Sequence, residues 1–277
     1  MEELLMLSFE HLVHFVHDPK QAIDRLGKAG YYAVEGGRHE QLGTINALCY
    51  LGLSYIEFLG VERREVSEQA AARVPVIRQL LADLEVGEGP GTIAIRTNDI
   101  EKLAERLRQQ GLHVLGPYPG SRSRTDGSIV RWSSLLLESE PGELPLPFFI
   151  QWEQNDEQRT ADLLEQRLLL TDAEGPELAY IGLVVDDDAE QTADNWSRWF
   201  GLPFGTAYKA DELGAIGKRI RLAGGDLLFL SPAGAGKAAD WLKQKGPRPY
   251  FVGVHDKQGE QSQLRVLGSE WLIADAL

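Results

Sequence analysis

Cysteine occurs once, at Cys49, in a chain of 277 residues. A single thiol excludes an internal disulfide framework and any cysteine-rich zinc cluster, and it fits a reducing compartment. Positive charge is also scarce: 28 Lys and Arg stand against 42 Asp and Glu, a net charge of −14. Such a chain repels phosphate backbones and anionic lipid, so neither nucleic acid nor a membrane surface is expected as a partner. No apolar run approaches the ~20 residues of a membrane helix. The opening Met1-Glu2-Glu3-Leu4-Leu5-Met6 is acidic and too short in apolar length for a signal peptide. The expected location is therefore cytoplasmic. Several catalytic signatures are missing as well. Gly234-Ala235-Gly236-Lys237 lacks the upstream glycine and the following Ser or Thr of a phosphate loop, and His39-Glu40 has no second histidine at zincin spacing. Neither a GxSxG elbow nor a GxGxxG turn occurs, so acyl-enzyme chemistry and nicotinamide binding have no support.

What is present is an internal repeat. Residues 9–17 (FEHLVHFVH) read as a strand, after which Asp18-Pro19 opens a helix with Asp as N-cap and Pro in the first turn. Ala22, Ile23, Leu26 and Ala29 follow helical spacing, and Gly30 ends the helix. Residues 91–98 (GTIAIRTN) repeat the pattern. Asp99 caps a helix with Ile100, Leu103, Ala104 and Leu107 on one face, and Gly111 ends it. The two segments superimpose without a gap: Asp18 meets Asp99, Arg25 meets Arg106, Leu26 meets Leu107 and Gly30 meets Gly111. Four identities on one apolar pattern point to a duplicated unit.

Three strand-like stretches follow each helix, at 31–36, 43–51 and 54–61, then at about 112–118, 128–138 and 146–153. Asp126-Gly127 is a hairpin-turn signal before the middle one. The unit is strand, helix, three strands. Residues 154–174 read as a linking helix. A third, looser unit has a strand at 178–185, a helix at 189–201, a hairpin at 216–231 turning at Gly224-Gly225, a short helix at 236–246, a strand at 249–255 and a terminal hairpin or strand at 263–274. A fourth unit would be truncated. The expected division is 1–153 for two paired modules, 154–175 for the linker helix, and 176–277 for a degenerate third module with a C-terminal extension.

Four stretches, FEHLVHFVHD at 9–18, GGRHEQLGTIN at 36–46, SYIEFLG at 54–60 and PFFIQW at 147–152, resemble in their order the vicinal oxygen chelate superfamily and, within it, the glyoxalase-like group. WSRWFGLPF at 196–204 resembles the helix end of a further module. The likeness covers most of residues 8–153 and, more weakly, 178–255. It implies an α+β fold of repeated βαβββ modules, whose curled mixed sheets pair into a half-barrel around one small-molecule pocket. It also implies one metal ligand from the first strand and one from the last strand of each module. Those positions are His11 and Glu57, then Thr92 and Gln151.

Strand parity bears on this ligand set, because residues two apart share a face. His11, Val13 and Phe15 fall together, as do Tyr55, Glu57 and Leu59, which leaves His11 and Glu57 free to face a concave site. Phe149, Gln151 and Glu153 are expected to behave alike. An imidazole and a carboxylate suit Zn, Mn, Fe, Ni or Co, with Mg as a harder option. Gln151 adds only an amide oxygen and Thr92 a hydroxyl. The set therefore departs from two His with one or two carboxylates, and counts against a ring-cleaving iron dioxygenase. The other reading is that His11 and Glu57 bond each other, or a ligand, in a pocket without metal.

His39 follows Gly36-Gly37-Arg38 in a loop entering the middle strand, where Thr44, Asn46, Leu48 and Tyr50 alternate on one face. This reads as a polar pocket wall, with His39 or Arg38 closing over an anionic or carbonyl group, against the plainer reading of a glycine turn. Arg122 and Arg124 occupy the matching second loop, followed by Arg131-Trp132. Arginines fork carboxylates and phosphates, and Trp132, like Trp152, offers a face to a planar ligand. His14 and His17 read as structural, and Cys49, which shares parity with Ala47 and Leu51, reads as a buried small hydrophobe. Tyr180 and Phe229 stand where ligands would stand in the third unit.

Two functions follow. One is a divalent-metal-dependent lyase or isomerase of the glyoxalase-like type acting on a small carbonyl or carboxylate compound, with His11, Glu57 and Gln151 on the metal and Glu57 or His39 moving a proton. The other is a metal-free protein that binds or sequesters a small molecule on the same scaffold. A homodimer is open in both.

Overall fold

A computed structural model of the chain describes residues 5–123, 127–169, 175–186, 188–256 and 263–274. The first unit is β1 (Leu7–Phe15), α1 (Pro19–Lys28), β2 (Ala33–His39), β3 (Thr44–Leu51) and β4 (Ser54–Val61). Asp18 caps α1 by accepting the Lys20 N–H at 3.0 Å, and Gly30 leaves the helix at φ +88°. The second unit is β5 (Gly89–Thr97), α4 (Ile100–Gln109), β6 (Val114–Ser123), β7 (Ile129–Leu137) and β8 (Phe148–Trp152). Its cap repeats the first: Asp99 accepts the Lys102 N–H at 3.0 Å, and Gly111 sits at φ +81°. Asp126 of the proposed hairpin turn lies outside the described residues. Between the units are α2 (Arg64–Ala71) and α3 (Pro75–Val86), a stretch to which the sequence reading assigns nothing.

The helix α5 (Asp156–Glu165) opens on a reciprocal capping box between Asn155 and Gln158. It occupies part of the expected linker. The third unit is β9 (Glu177–Val184), α6 (Ala189–Phe200), β10 (Thr206–Ala210), β11 (Ala215–Ile220) and β12 (Asp226–Pro232). Then come α7 (Lys237–Lys245), β13 (Arg248–His255), β14 (Gln263–Val266) and β15 (Ser269–Ala274). Strand β13 enters its sheet as β5 enters the other. Among the described residues the strands after it number two rather than three, with no helix between.

Two mixed sheets result, in the orders β2-β3-β4-β1-β5-β8-β7-β6 and β10-β11-β12-β9-β13-β15-β14. In the first, β1 and β5 are antiparallel neighbours, and each runs parallel to the last strand of its own unit. The sheet curls until its outer strands nearly meet. A Cβ placed on Gly36 of β2 would lie 2.9 Å from Arg122 Nη1 of β6. This is the glyoxalase-like α+β architecture of curled mixed sheets.

The helix-bearing faces of both sheets share one apolar core. Phe9, Leu12, Ile93, Ile95 and Phe149 of the first meet Ile181, Phe229, Val252 and Trp271 of the second, with Phe149 and Phe200 edge to face at 5.3 Å. Cys49 is buried there with Ala47 and Leu51, as its parity predicts. Phe229 corrects an expectation: its ring lies 5.0 Å from Trp196 of α6, on the helix side, away from the concave face. Polar ties join the halves. The Phe9 N–H donates to the Ala223 carbonyl at 2.8 Å, and His14 Nε2 lies 2.8 Å from the Leu267 carbonyl oxygen. Each concave face is filled differently. That of the second sheet is occupied by a cluster including Tyr180, Leu228, Leu230, Tyr250 and Phe251. In the first, Ala70, Ile77 and Leu80 from α2 and α3 cover Val13, Phe15 and Leu59, so only part of the hollow stays open. No helix among the described residues is long and apolar enough to cross a membrane.

Candidate functional site

The open part of the hollow is built around a bulge in β1. Phe9 pairs with Ile95 and His11 with Ala94, so Glu10 is an extra residue in the ladder. A bulge of this kind turns two successive side chains to one side. Phe9 and Leu12 stay in the helix-side core, while Glu10 and His11 both reach the concave side. Val13 of β1 pairs with Glu57 of β4, which brings His11 Nε2 to 3.5 Å from Glu57 Oε2. That is ion-pair range rather than hydrogen-bond geometry, and neither His11 ring nitrogen has a hydrogen-bond partner. Burial pushes the His11 pKa down, against the Glu57 and Glu10 carboxylates that pull it up, and the net position is below the ordinary histidine value. The ring is boxed by Tyr55, stacked at 4.6 Å, and Phe148, edge-on at 5.4 Å.

Glu57 Oε1 accepts from Asn46 Nδ2 at 2.5 Å, which fixes the carboxylate, while Asn46 Oδ1 is buried without a partner. Gly36 stands over that amide, and a Cβ there would fall 2.2 Å from Asn46 Oδ1. His39 Nδ1 lies 3.1 Å from Thr44 Oγ1, and the ring meets Trp132 edge-on at 6.4 Å. Burial lowers its pKa, with Glu57 opposing and Arg122 reinforcing. Trp132 in turn meets Trp152 at 5.5 Å. Thus β1, β3, β4, β7 and β8, with His39 from β2 and Arg122 from β6, converge on one hollow. Of the residues singled out from sequence, Tyr50, Arg122 and Trp152 line its open part, and His11, Glu57, Thr44, Asn46, His39 and Trp132 lie in the concave wall behind it.

Other residues lie elsewhere. The Gln151 amide oxygen accepts the Ile100 N–H at 2.8 Å and its nitrogen donates to the Asn98 carbonyl at 3.0 Å. Gln151 therefore caps α4 on the helix side. It shares the parity of Phe149, which packs into the core, while Phe148 and Trp152 face inward. The expected inward set on β8 is corrected by one residue. Arg38 is exposed and bonds Glu62 at 2.6 Å. Its segment is strand β2 rather than a loop, and alternation turns Arg38 outward. Arg131 is exposed beside Glu153 at 3.8 Å, on the face opposite Trp132. Thr92 is buried, with Oγ1 3.4 Å from the Leu146 carbonyl oxygen. Arg124 lies outside the described residues.

Three residues that the sequence reading did not single out complete the site. Glu10 is fully buried and takes Arg159 at 2.7 Å, Trp152 Nε1 at 2.8 Å, and Arg96. Burial pushes its carboxyl up, but the two guanidiniums together outweigh that and hold it below the usual carboxylate range. Arg159 reaches in from α5 and lies 4.6 Å from the Trp152 ring centroid, a cation–π contact. Tyr50, Tyr55, Arg122, Trp152 and Arg159 line a narrow cleft that opens to solvent. The available signal for Arg159 is a lone arginine on the inner face of a short capped helix. For Glu10, period-two reasoning gives the wrong face.

The donors fall short of a metal centre. Among the described residues no three His, Cys, Asp or Glu side chains are grouped to hold an ion. Both oxygens of Glu10 are committed to cations and an indole. On β8 the inward position nearest His11 carries Phe148. His11 and Glu57 alone supply two ligands, where three or four protein ligands are usual.

The fold and site define a class: curled, paired βαβββ units with a buried imidazole–carboxylate pair on the concave side. The chain belongs to the glyoxalase-like domain family, whose family model matches residues 9–200, and so to the vicinal oxygen chelate superfamily. A hypothetical protein from Staphylococcus aureus is similar over 98% of this chain and 100% of its own, at 24% identity and a TM-score of 0.78. A mutant of 4-hydroxymandelate synthase from Streptomyces coelicolor is similar over 91% of this chain and 71% of its own, at 14% identity and a TM-score of 0.55. These likenesses speak to the fold. No curated protein matches the chain in sequence.

Proposed function

We propose that the hollow binds a small carbonyl or carboxylate compound, and that Glu57, backed by His11, exchanges a proton with it without a bound metal ion. The observation that carries this reading is unmet polar capacity at the centre of an apolar barrel. Two His11 nitrogens and Asn46 Oδ1 are buried without partners beside a carboxylate pinned on one oxygen only. An unsatisfied buried polar atom costs about 1–3 kcal/mol and calls for a reason. A ligand that completes these bonds is such a reason.

In this reading a C–H bond next to the ligand carbonyl breaks and its proton passes to Glu57 Oε2. The electron pair moves to the carbonyl oxygen as an enolate, and the same proton or a solvent proton returns. Asn46 holds the carboxylate in place. His11, kept neutral by burial, shares the transferred proton, and His39, held at Nδ1 by Thr44, offers its other nitrogen to the enolate oxygen. The test is solvent deuterium exchange at the C–H carbon next to the carbonyl in a panel of 2-oxo acids and aldehydes, followed by proton NMR, with elemental analysis of the same sample. Exchange lost in Glu57→Gln, in protein free of stoichiometric divalent metal, is the expected result. Exchange that survives Glu57→Gln, or that vanishes with chelator, refutes it.

A further inference from the structure

We infer that α5 is a lid over the hollow, latched by Arg159 and Leu163, and that a ligand reaches the concave side only when this helix lets go. This rests on the reading above that the hollow is a small-molecule site, and it adds how that site is entered.

Two covers lie on the concave face, and they are held differently. Helices α2 and α3 are packed: Ala70, Ile77 and Leu80 form one apolar core with Val13, Phe15 and Leu59. Helix α5 hangs on side chains. Of its ten residues two are buried, Arg159 and Leu163, and Leu163 joins none of the three apolar cores. Backbone ties stop short of it as well. The Glu153 N–H donates to the Arg131 carbonyl at 3.1 Å; beyond it, among the described residues, the backbone bonds of 155–168 close within that stretch. A segment with so little buried apolar surface opens locally while the domain stays folded.

The same helix fills the entrance. Arg159 and Leu163 stand in the wall of the cleft with Tyr55 and Trp152, and the free space left is little more than that of one water molecule. A carbonyl compound does not fit until that wall moves.

The latch releases without stranding a buried charge. Arg159 donates from Nη1 to Glu10 Oε2 at 3.2 Å and from Nη2 to Oε1 at 2.7 Å. Each oxygen also has a donor that belongs to the sheet: Arg96 of β5 on Oε2, and Trp152 Nε1 of β8 on Oε1. When Arg159 leaves, the carboxylate keeps one partner on each oxygen and the guanidinium gains water. The outer tie, Asp156 to Arg96 at 2.9 Å, uses an exposed carboxylate that water screens. The capping box of Asn155 and Gln158 satisfies the start of α5 from its own residues, so the helix asks no partner of the sheet there.

The experiment is hydrogen–deuterium exchange of the full chain, read by peptide mass spectrometry, together with thiol labelling in the cleft. A ten-residue helix is marginal on its own in water, so a released α5 exchanges its amides. Residues 156–165 of the wild type are expected to exchange at least about a hundredfold faster than β1 and β5. Ala161 is exposed on α5 and lies outside the cleft wall. Ala161→Gly weakens the helix alone, and is expected to speed exchange of α5 about fivefold while β1 and β5 stay unchanged. Val130→Cys places a thiol in the cleft wall, and its reaction with methyl methanethiosulfonate is expected to quicken about fivefold when Ala161→Gly is added. Cys49 stays silent, because burial pushes its thiol up to about 12. Wild-type α5 amides as protected as those of β1, or labelling at Val130→Cys that Ala161→Gly does not change, overturns the inference. Failures are separable. Release of α5 without proton exchange that needs Glu57 keeps the lid and removes proton transfer; such exchange in a protein whose α5 stays shut does the reverse.

Discussion

His14 should make this protein acid-sensitive by a computable amount. Its ring is buried at the junction of the two halves, with Nε2 2.8 Å from the Leu267 carbonyl oxygen and stacked obliquely 4.9 Å from Phe58. Burial lowers its pKa from the ordinary 6.5 to about 4, against the opposing bond to Leu267. The unfolded chain therefore binds a proton that the folded chain refuses, and stability falls with pH between these two values. One unit of separation is worth about 1.4 kcal/mol, so the full loss is about 3 kcal/mol and about 2 kcal/mol has gone by about pH 5. The stability is fully present above about pH 6.5. A glutamine at this position keeps a donor for Leu267 but does not titrate. Urea unfolding of wild type and His14→Gln at about pH 7 and pH 5 gives the difference directly, since His11 and His39, also depressed by burial, are common to both proteins. Wild type should lose about 2 kcal/mol more than the variant. Parallel losses would refute the assignment of a neutral, buried His14.

Three further outcomes are expected. Arg159→Met leaves Glu10 with Arg96 alone and unhooks α5 from Trp152; breaking a buried pair from one side costs about 3–5 kcal/mol, read by urea unfolding. Gln151→Ala removes the bonds at the start of α4 and should cost about 1–2 kcal/mol, with no effect on proton exchange or metal content, since Gln151 faces away from the hollow. A chain ending near residue 175 exposes the surfaces of Tyr31 and Phe149 that meet Trp271 and Phe200, and should aggregate or bind hydrophobic dye rather than remain a folded monomer.

The repeat was legible because its punctuation is local. An aspartate N-cap and a glycine at positive φ mark both helices at the same places, and apolar spacing supplies the rest. The face of a side chain was legible only where the ladder is regular. On β3 alternation correctly separates Thr44, Asn46 and Tyr50 from Ala47, Cys49 and Leu51. On β1 the bulge breaks the count, and Glu10 turns inward where period two sends it outward. On β8 the pairing of Phe149 with Ile95 decides parity, and that partner lies more than fifty residues away in sequence. Helices α2 and α3 pack into the concave face by tertiary contact, so their role as a plug has no local signature.

The two halves lean on a common interior, and the pocket inherits this. Phe9 immediately precedes the bulged pair of β1 and is itself hydrogen-bonded to Ala223 at 2.8 Å, so the backbone that aims Glu10 and His11 is anchored by the distal sheet. Substitutions near residues 222–226, remote from any ligand, would then reset the angle between an acid and an imidazole. Loss of ligand binding by such distant changes, in a protein that still folds, would be inherited through one strand rather than through the pocket wall.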